Sequence, residues 1–266
     1  PNEFKANMTL GLVRLALGDT DGAVMYLRKA TELDPKAAAA WLNFGVALDA
    51  AGDLPRAEAA YRRSLEIDAT NQAAQLNFGT NLVLQNKTSE ALAVLEPLTA
   101  KMKSPLAHKR YGDALAQAKR LDEAARQYEA AIQLNPRYFP AINELGTLSI
   151  ERYKQGLELD DNLRITAINA WKRSLAVNPD QPAIRELVQR LTDRERALMV
   201  EILGRLIHEM EMQVRRALSA RLSQMETAPR ELLLLLANDE AEVAKPILRS
   251  SRLLSDPDLI EIVKHR

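Results

Sequence analysis

Along the first two thirds of the chain, apolar and small positions follow two periods at once. Within each stretch they keep the three-to-four-residue spacing of a helix face, and the stretches themselves recur every 34 residues. Gly11, Gly45, Gly79, Gly112 and Gly146 mark the register, at spacings of 34, 34, 33 and 34. Twelve residues after each of the first four stands an alanine (Ala23, Ala57, Ala91, Ala124), and four residues later a Leu or Tyr (Leu27, Tyr61, Leu95, Tyr128). Pro35, Pro136 and Pro179 close three of the blocks. Each block therefore reads helix, turn, helix, turn. Gly and Ala let two helices of a hairpin approach closely, the larger side chain fills the gap beside them, and proline cannot continue the second helix. A block this short cannot bury its apolar face alone, so the pattern predicts stacked hairpins in an all-α solenoid.

These residues resemble the tetratricopeptide repeat, whose aromatic, Leu-Gly, Tyr, Ala, Phe, Ala, Pro pattern is best met by Trp41, Phe44, Gly45, Ala57 and Tyr61. The resemblance covers about 1–180, as five units at about 4–37, 38–71, 72–104, 105–138 and 139–181. Ala69 and Lys103 replace the closing proline in two units, and Arg14 stands where Tyr is usual. In the fifth unit the step from Gly146 to the corresponding Ala167 is 21 residues instead of 12. The nine extra residues are expected to lengthen both helices, which meet near an acidic turn at Glu158, Leu159, Asp160, Asp161 and Asn162.

The composition then shifts. After Trp171 there is no aromatic residue, Gly204 is the only glycine, and the 34-residue pattern stops near Pro182. Thr192 followed by Glu195 has the form of a capping box, so a new helix is expected to start there after a terminal helix over 182–191, with one continuous long helix as the rival. Leu198, Ile202 and Leu206, then Val214, Leu218 and Leu222, keep helical spacing, followed by shorter helices near Pro229–Ala237, Glu240–Leu248 and Asp256–Val263. The stretch Glu195–Val263 resembles a bacterial all-helical family of unassigned activity related to HEAT-like repeats, which implies fold alone. Its features are an acidic turn at Asn238–Glu240 and Ser255 as the cap of the last helix. The expected architecture is thus an α-solenoid superhelix of five hairpins over 1–180, continuing through a linking helix into a HEAT-like domain over 181–266. Both solenoids look trimmed at their outer ends, which suggests an engineered fusion of two helical-repeat pieces sharing a helix near 182–210, with a natural multidomain fragment as the rival; separately, an uncapped apolar end is a candidate surface for a homodimer.

Charge and composition narrow the function. Lys plus Arg number 36 and Asp plus Glu 36, split 22 and 22 over 1–180 and 14 and 14 over 181–266. Neither part has the cationic excess that phosphate-backbone binding requires, so nucleic acid is not an expected partner. No apolar run approaches the roughly 20 residues of a membrane span, and no signal peptide opens the chain. A cytoplasmic location is expected. With no Cys, three His (His108, His208, His265) and no phosphate-binding or nucleophile-elbow motif, an enzyme is not expected, nor any cofactor. His208-Glu209 comes nearest to a zinc helix, but Met212 stands where the second His belongs, so no metal is expected. The leucine run 232–236 reads as a buried helix, and Trp41 as a packing residue.

What remains is binding. The family resemblance implies that the first helix of every hairpin lines an inner groove, into which the residue two before each glycine points: Thr9, Asn43, Asn77, Arg110 and Glu144. Two Asn one repeat apart can donate to and accept from successive peptide units of an extended ligand, and Arg110 beside Lys109 favours a carboxylate. Leu42, Val46 and Leu106 occupy the places of Lys, Asn and Lys in the family's carboxylate clamp, which argues against a chaperone-tail receptor. The residues one past the glycines, Leu12, Val46, Thr80 and Asp113, form a floor that turns from apolar to polar. The expected partner is a peptide or protein segment, acidic or amphipathic, held by Asn43, Asn77, Lys109 and Arg110.

Overall fold

The computed structural model describes residues 2–156, 161–225 and 227–264, and these are helical throughout, with no strand among them. The chain divides into two compact units, Pro1–Ile184 and Arg185–Arg266.

Unit 1 is built from ten helices packed as consecutive antiparallel pairs: α1 (Asn2–Ala16) with α2 (Thr20–Leu33), α3 (Ala38–Ala50) with α4 (Leu54–Ile67), α5 (Gln72–Leu84) with α6 (Thr88–Lys101), α7 (Pro105–Gln117) with α8 (Leu121–Leu134), and α9 (Phe139–Gln155) with α10 (Asp161–Val177). Each first helix also packs beside the next first helix, so α1, α3, α5, α7 and α9 form one continuous inner layer. The register glycines explain the pairing. A Cβ on Gly11, Gly45, Gly79, Gly112 or Gly146 would lie 2.5–2.6 Å from an atom of Leu27, Tyr61, Leu95, Tyr128 or Trp171 respectively, far inside van der Waals contact. All five partner side chains are buried. The fifth pair keeps this contact although its helices run 17 residues each, against 13 and 14 in the three pairs before it. Residues 158–160 of the expected acidic turn lie outside the described residues.

The turns inside the hairpins share a second constraint. Gly18, Gly52, Asn86 and Lys119, at spacings of 34, 34 and 33, all hold a left-handed backbone, with φ between 61° and 79°. Two of these sites are glycine, which carries no steric penalty there, and Asn tolerates the conformation; Lys119 does not. Lys119→Gly therefore relieves strain of about 1–2 kcal/mol, offset by the loss of an exposed Lys119–Glu151 ion pair at 2.7 Å worth about 0–1 kcal/mol. A net gain of about 0–2 kcal/mol is expected; an unchanged urea midpoint, where Lys119→Ala also has no effect, would count against it.

Unit 2 contains α12 (Met212–Leu222), α13 (Arg230–Ala237), α14 (Ala241–Ser250) and α15 (Asp256–Lys264), with most of α11 (Pro182–Glu209). The capping-box reading of Thr192 is corrected: α11 is one helix, and the Thr192 hydroxyl donates to Val188 O and Gln189 O, both at 2.9 Å, as an interior threonine does. The apolar period running on through Val200 and Leu203 to Ile207 overrides the local motif. The core of the unit gathers Ile207, Leu222, Leu232, Leu233, Leu236, Val243, Ile247 and Ile262. The leucine run is thus buried at three of its five positions, while Leu235 is exposed. No helix among the described residues is long and apolar enough to cross a membrane.

One buried carboxylate fixes the last helix. Asp258 Oδ2 accepts both the N–H and the hydroxyl of Ser255, each at 2.8 Å, and its carboxylate is ion-paired with Arg230 from α13. The Arg230 guanidinium, with the two Ser255 bonds, pulls the Asp258 carboxyl down to about 2 from the ordinary 3.8. A depressed acid stabilises the fold above its unfolded value and loses that contribution as pH falls through the folded one. Asp258→Asn should therefore lower the melting temperature of unit 2 at pH 7, with the deficit against wild type shrinking between pH 4 and pH 2; a pH-independent deficit would contradict the assignment.

Candidate peptide-binding groove

The glycine register also orients the inner layer. At about 100° per residue, the position two before each glycine lies about 160° around the helix from it. Since Gly45 faces Tyr61 of α4 and Gly79 faces Leu95 of α6, Asn43 and Asn77 face away from the second helices. Both are half-buried, and among the described residues neither side-chain amide makes a hydrogen bond. They contrast with Asn81, fully buried one turn after Asn77, whose amide donates to Asp49 Oδ1 at 2.6 Å and Leu54 O at 3.1 Å. Asp49 also accepts the Tyr61 hydroxyl at 2.6 Å. Burial pushes the Asp49 carboxyl up despite these bonds, and burial beside Asp49 pushes the Tyr61 phenol up too. Asn81 thus ties α5 to the preceding hairpin, whereas the amides of Asn43 and Asn77 are uncommitted.

Arg110 and Lys109 are placed differently. Asp113 Oδ1 accepts the Tyr128 hydroxyl at 3.1 Å, while Oδ2 lies 2.9 Å from Lys109 Nζ and 3.5 Å from Arg110. Glu144 from α9 approaches Lys109 at 3.1 Å. The Lys109 side chain is only 12% exposed, so its charge is spent on two carboxylates; Arg110, at 36%, keeps an open edge. Burial, with the Asp113 and Glu144 charges, pushes the Tyr128 phenol up, which keeps it a donor to Asp113. Such a network orients its members more than it stabilises the fold, because desolvation offsets the attraction.

Next to it is a cavity of about 300 Å³, with Thr80, Val83 and Leu84 from α5, Asp113, Ala116 and Arg110 from α7, Tyr128 from α8 and Glu144 from α9. The Thr80 hydroxyl turns inward to Leu76 O at 2.8 Å, which leaves its methyl to the wall. The result is an aliphatic depression rimmed by Arg110 and Glu144. Of the four residues expected from the sequence, the structure sets Arg110 at this rim, Lys109 behind it against Asp113 and Glu144, and Asn43 and Asn77 on the same inner layer, on α3 and α5. The aliphatic walls Val83, Leu84 and Ala116 were not anticipated. Leu84, five past its glycine and 57% exposed, is a signal that was available: an aliphatic side chain on the face that carries Asn77. Trp41 is a packing residue, edge-on to Phe44 with centroids 6.3 Å apart and its indole N–H donating to Pro35 O at 3.0 Å.

The tetratricopeptide repeat family model matches residues 8–73 and 76–138. Over these residues the chain matches the tetratricopeptide repeat family. Members of this family are generally protein-interaction scaffolds and typically not catalysts. Solved structures carry the same fold. MamA from Desulfovibrio magneticus RS-1, from residue 41 to its end, is 19% identical over 68% of this chain and 98% of its own, with a TM-score of 0.58. YrrB, a tetratricopeptide repeat protein, is 21% identical over 69% and 90%, with a TM-score of 0.52. TTC0263, a thermophilic tetratricopeptide repeat protein of Thermus thermophilus, is 15% identical over 71% and 98%, with a TM-score of 0.58. No curated protein sequence matches the chain.

Proposed function

We propose that the inner face of the tetratricopeptide repeats binds an extended, amphipathic segment of another protein. The observation that carries this reading is the pair Asn43 and Asn77, two half-buried amides one repeat apart with no hydrogen-bond partner among the described residues, in line with an aliphatic depression that begins on α5 itself. Leaving such groups unpaired costs little only where water or a ligand reaches them. The amides hold the peptide backbone, the depression at Thr80, Leu84 and Ala116 takes an apolar side chain, and Arg110 and Glu144 set the polarity around it. The amphipathic alternative is better supported than the acidic one, because Asp113 and Glu144 already meet the charge of Lys109. YrrB, described as having an unusual peptide-binding site, supports the capacity of this fold for such a ligand.

The test is a screen of the purified chain against an unbiased peptide library, with Asn43→Ala/Asn77→Ala in parallel. At about 0.5–1.5 kcal/mol per hydrogen bond, the double variant should bind selected peptides roughly tenfold more weakly with an unchanged melting temperature. Peptides retained equally by both proteins would exclude the amides as contacts.

A second reading, a helical-repeat fusion whose geometry is its purpose, draws on α11, which runs without interruption from Pro182 to Glu209. It predicts no selected peptide from either protein.

A further inference from the structure

We infer that unit 2 carries a second docking site, independent of the groove, for an amphipathic helix with basic flanks, seated over Gly204. A cleft of about 900 Å³ opens between α11 and the α13–α14 turn, floored by Val200, Gly204, Ile207 and Leu235. Its far wall is held by Arg215, whose guanidinium lies 3.1 Å from Asp239 and 3.0 Å from Glu240 and pins α12 to that turn.

Gly204 is the telling residue. After proline, glycine is the residue least favourable to a helix interior, and Gly204 stands well inside α11. The glycines of the hairpin register repay that cost, since any Cβ there would collide with a neighbour at 2.5–2.6 Å; at Gly204 the nearest atom to a built Cβ is Leu235 Cδ1 at 3.6 Å, an ordinary contact. Packing within the chain does not require a glycine here. What the missing side chain does is keep the cleft floor low between Val200 and Leu235, and Leu235 is itself 41% exposed. A residue that forgoes helix stability to keep a cleft open marks a place where something else packs, and a bare backbone flanked by aliphatic side chains suits the apolar stripe of a helix.

The rim gives the charge of the partner. Glu201, Asp239 and Glu240 face Arg205 and Arg215, three carboxylates against two guanidiniums. Arg215 is largely buried by its two acidic partners, so the outward rim is Glu240, 62% exposed, and the exposed Glu201–Arg205 pair. That balance favours lysine or arginine beside the partner's apolar stripe.

The probes are two synthetic amphipathic helical peptides, one of leucine with lysine and one of leucine with glutamate, followed by fluorescence anisotropy on the full chain. The leucine–lysine peptide should bind, the leucine–glutamate peptide at least tenfold more weakly, and Gly204→Leu should weaken the first at least tenfold. Gly204→Ala, which the space admits, should raise the melting temperature while weakening binding several-fold, and it decides the matter if Gly204→Leu does not fold. Asn43→Ala/Asn77→Ala should leave this binding unchanged. The inference is overturned if neither peptide binds, if the glutamate peptide binds better, if both Gly204 variants bind as wild type does, or if the loss follows the Asn43/Asn77 variant instead.

Discussion

Trp171→Ala should cost about 3–5 kcal/mol of stability, the range for removing a buried tryptophan. The indole is 2% exposed and lies directly on Gly146, and its N–H donates to Asn143 O at 3.2 Å. Truncation opens a void at the contact that closes the α9–α10 hairpin and takes a donor from Asn143 O. The neighbouring hairpins cannot collapse into the space, because their own register contacts hold α7 and α8 in place. In a solenoid each repeat is stabilised mainly by its neighbours, so the loss should appear first at the α9–α10 end of unit 1. Hydrogen exchange followed through urea unfolding checks both the size and the place: amides of α9 and α10 should lose protection before those of α3 and α4. A loss under about 1 kcal/mol, or protection falling evenly along unit 1, would mean that Trp171 does not close the fifth hairpin.

That contact was legible from the amino-acid sequence, and the reason is physical. Gly146 and Trp171 meet inside one hairpin, as Gly45 meets Tyr61 and Gly112 meets Tyr128, and a contact repeated along the chain shows itself as a period. The amides of Asn43 and Asn77 were legible for the same reason, being a fixed two residues from that register. Other features were not. Lys109 looked free to meet an acidic ligand, yet Glu144, which shares its charge, comes from the next hairpin, and that approach is set by the angle between repeats. Its Asp113 pair at four residues' spacing could have been read as a warning. Thr192 misled in the opposite direction. A Ser/Thr and a Glu three apart mark a helix start only where the chain before them is not helical, and the apolar positions on either side of Thr192 keep α11 intact. Gly204 was visible as the lone glycine after Trp171, but that it has room for a methyl group is a fact about Leu235, thirty-one residues away.

Gly112→Ala should cost about 1–3 kcal/mol and disturb the groove as well as the fold. The added Cβ would sit 2.6 Å from Tyr128 Cε1 and 2.8 Å from Cδ1, so the ring or helix α8 must move. Tyr128 is buried and its hydroxyl bonds Asp113, so displacement of the ring breaks the 3.1 Å contact that orients the Asp113 carboxylate toward Lys109 and Arg110. A residue that faces away from the groove thereby alters its rim. Tyr128→Phe separates the two effects: it deletes the hydrogen bond, at about 0.5–1.5 kcal/mol, and leaves the steric contact. Tyr128→Ala removes the clashing ring, so in the Gly112→Ala background it should cost less than in wild type, a double-mutant coupling that denaturant titration measures directly. Additive losses would show that Gly112 and Tyr128 do not share a contact, and with that the structural basis of the whole glycine register would fail. For a groove peptide, Gly112→Ala should weaken binding at the Arg110 end while leaving the Asn43 end intact, so that a peptide truncated at its Arg110-facing residues is bound equally by both proteins.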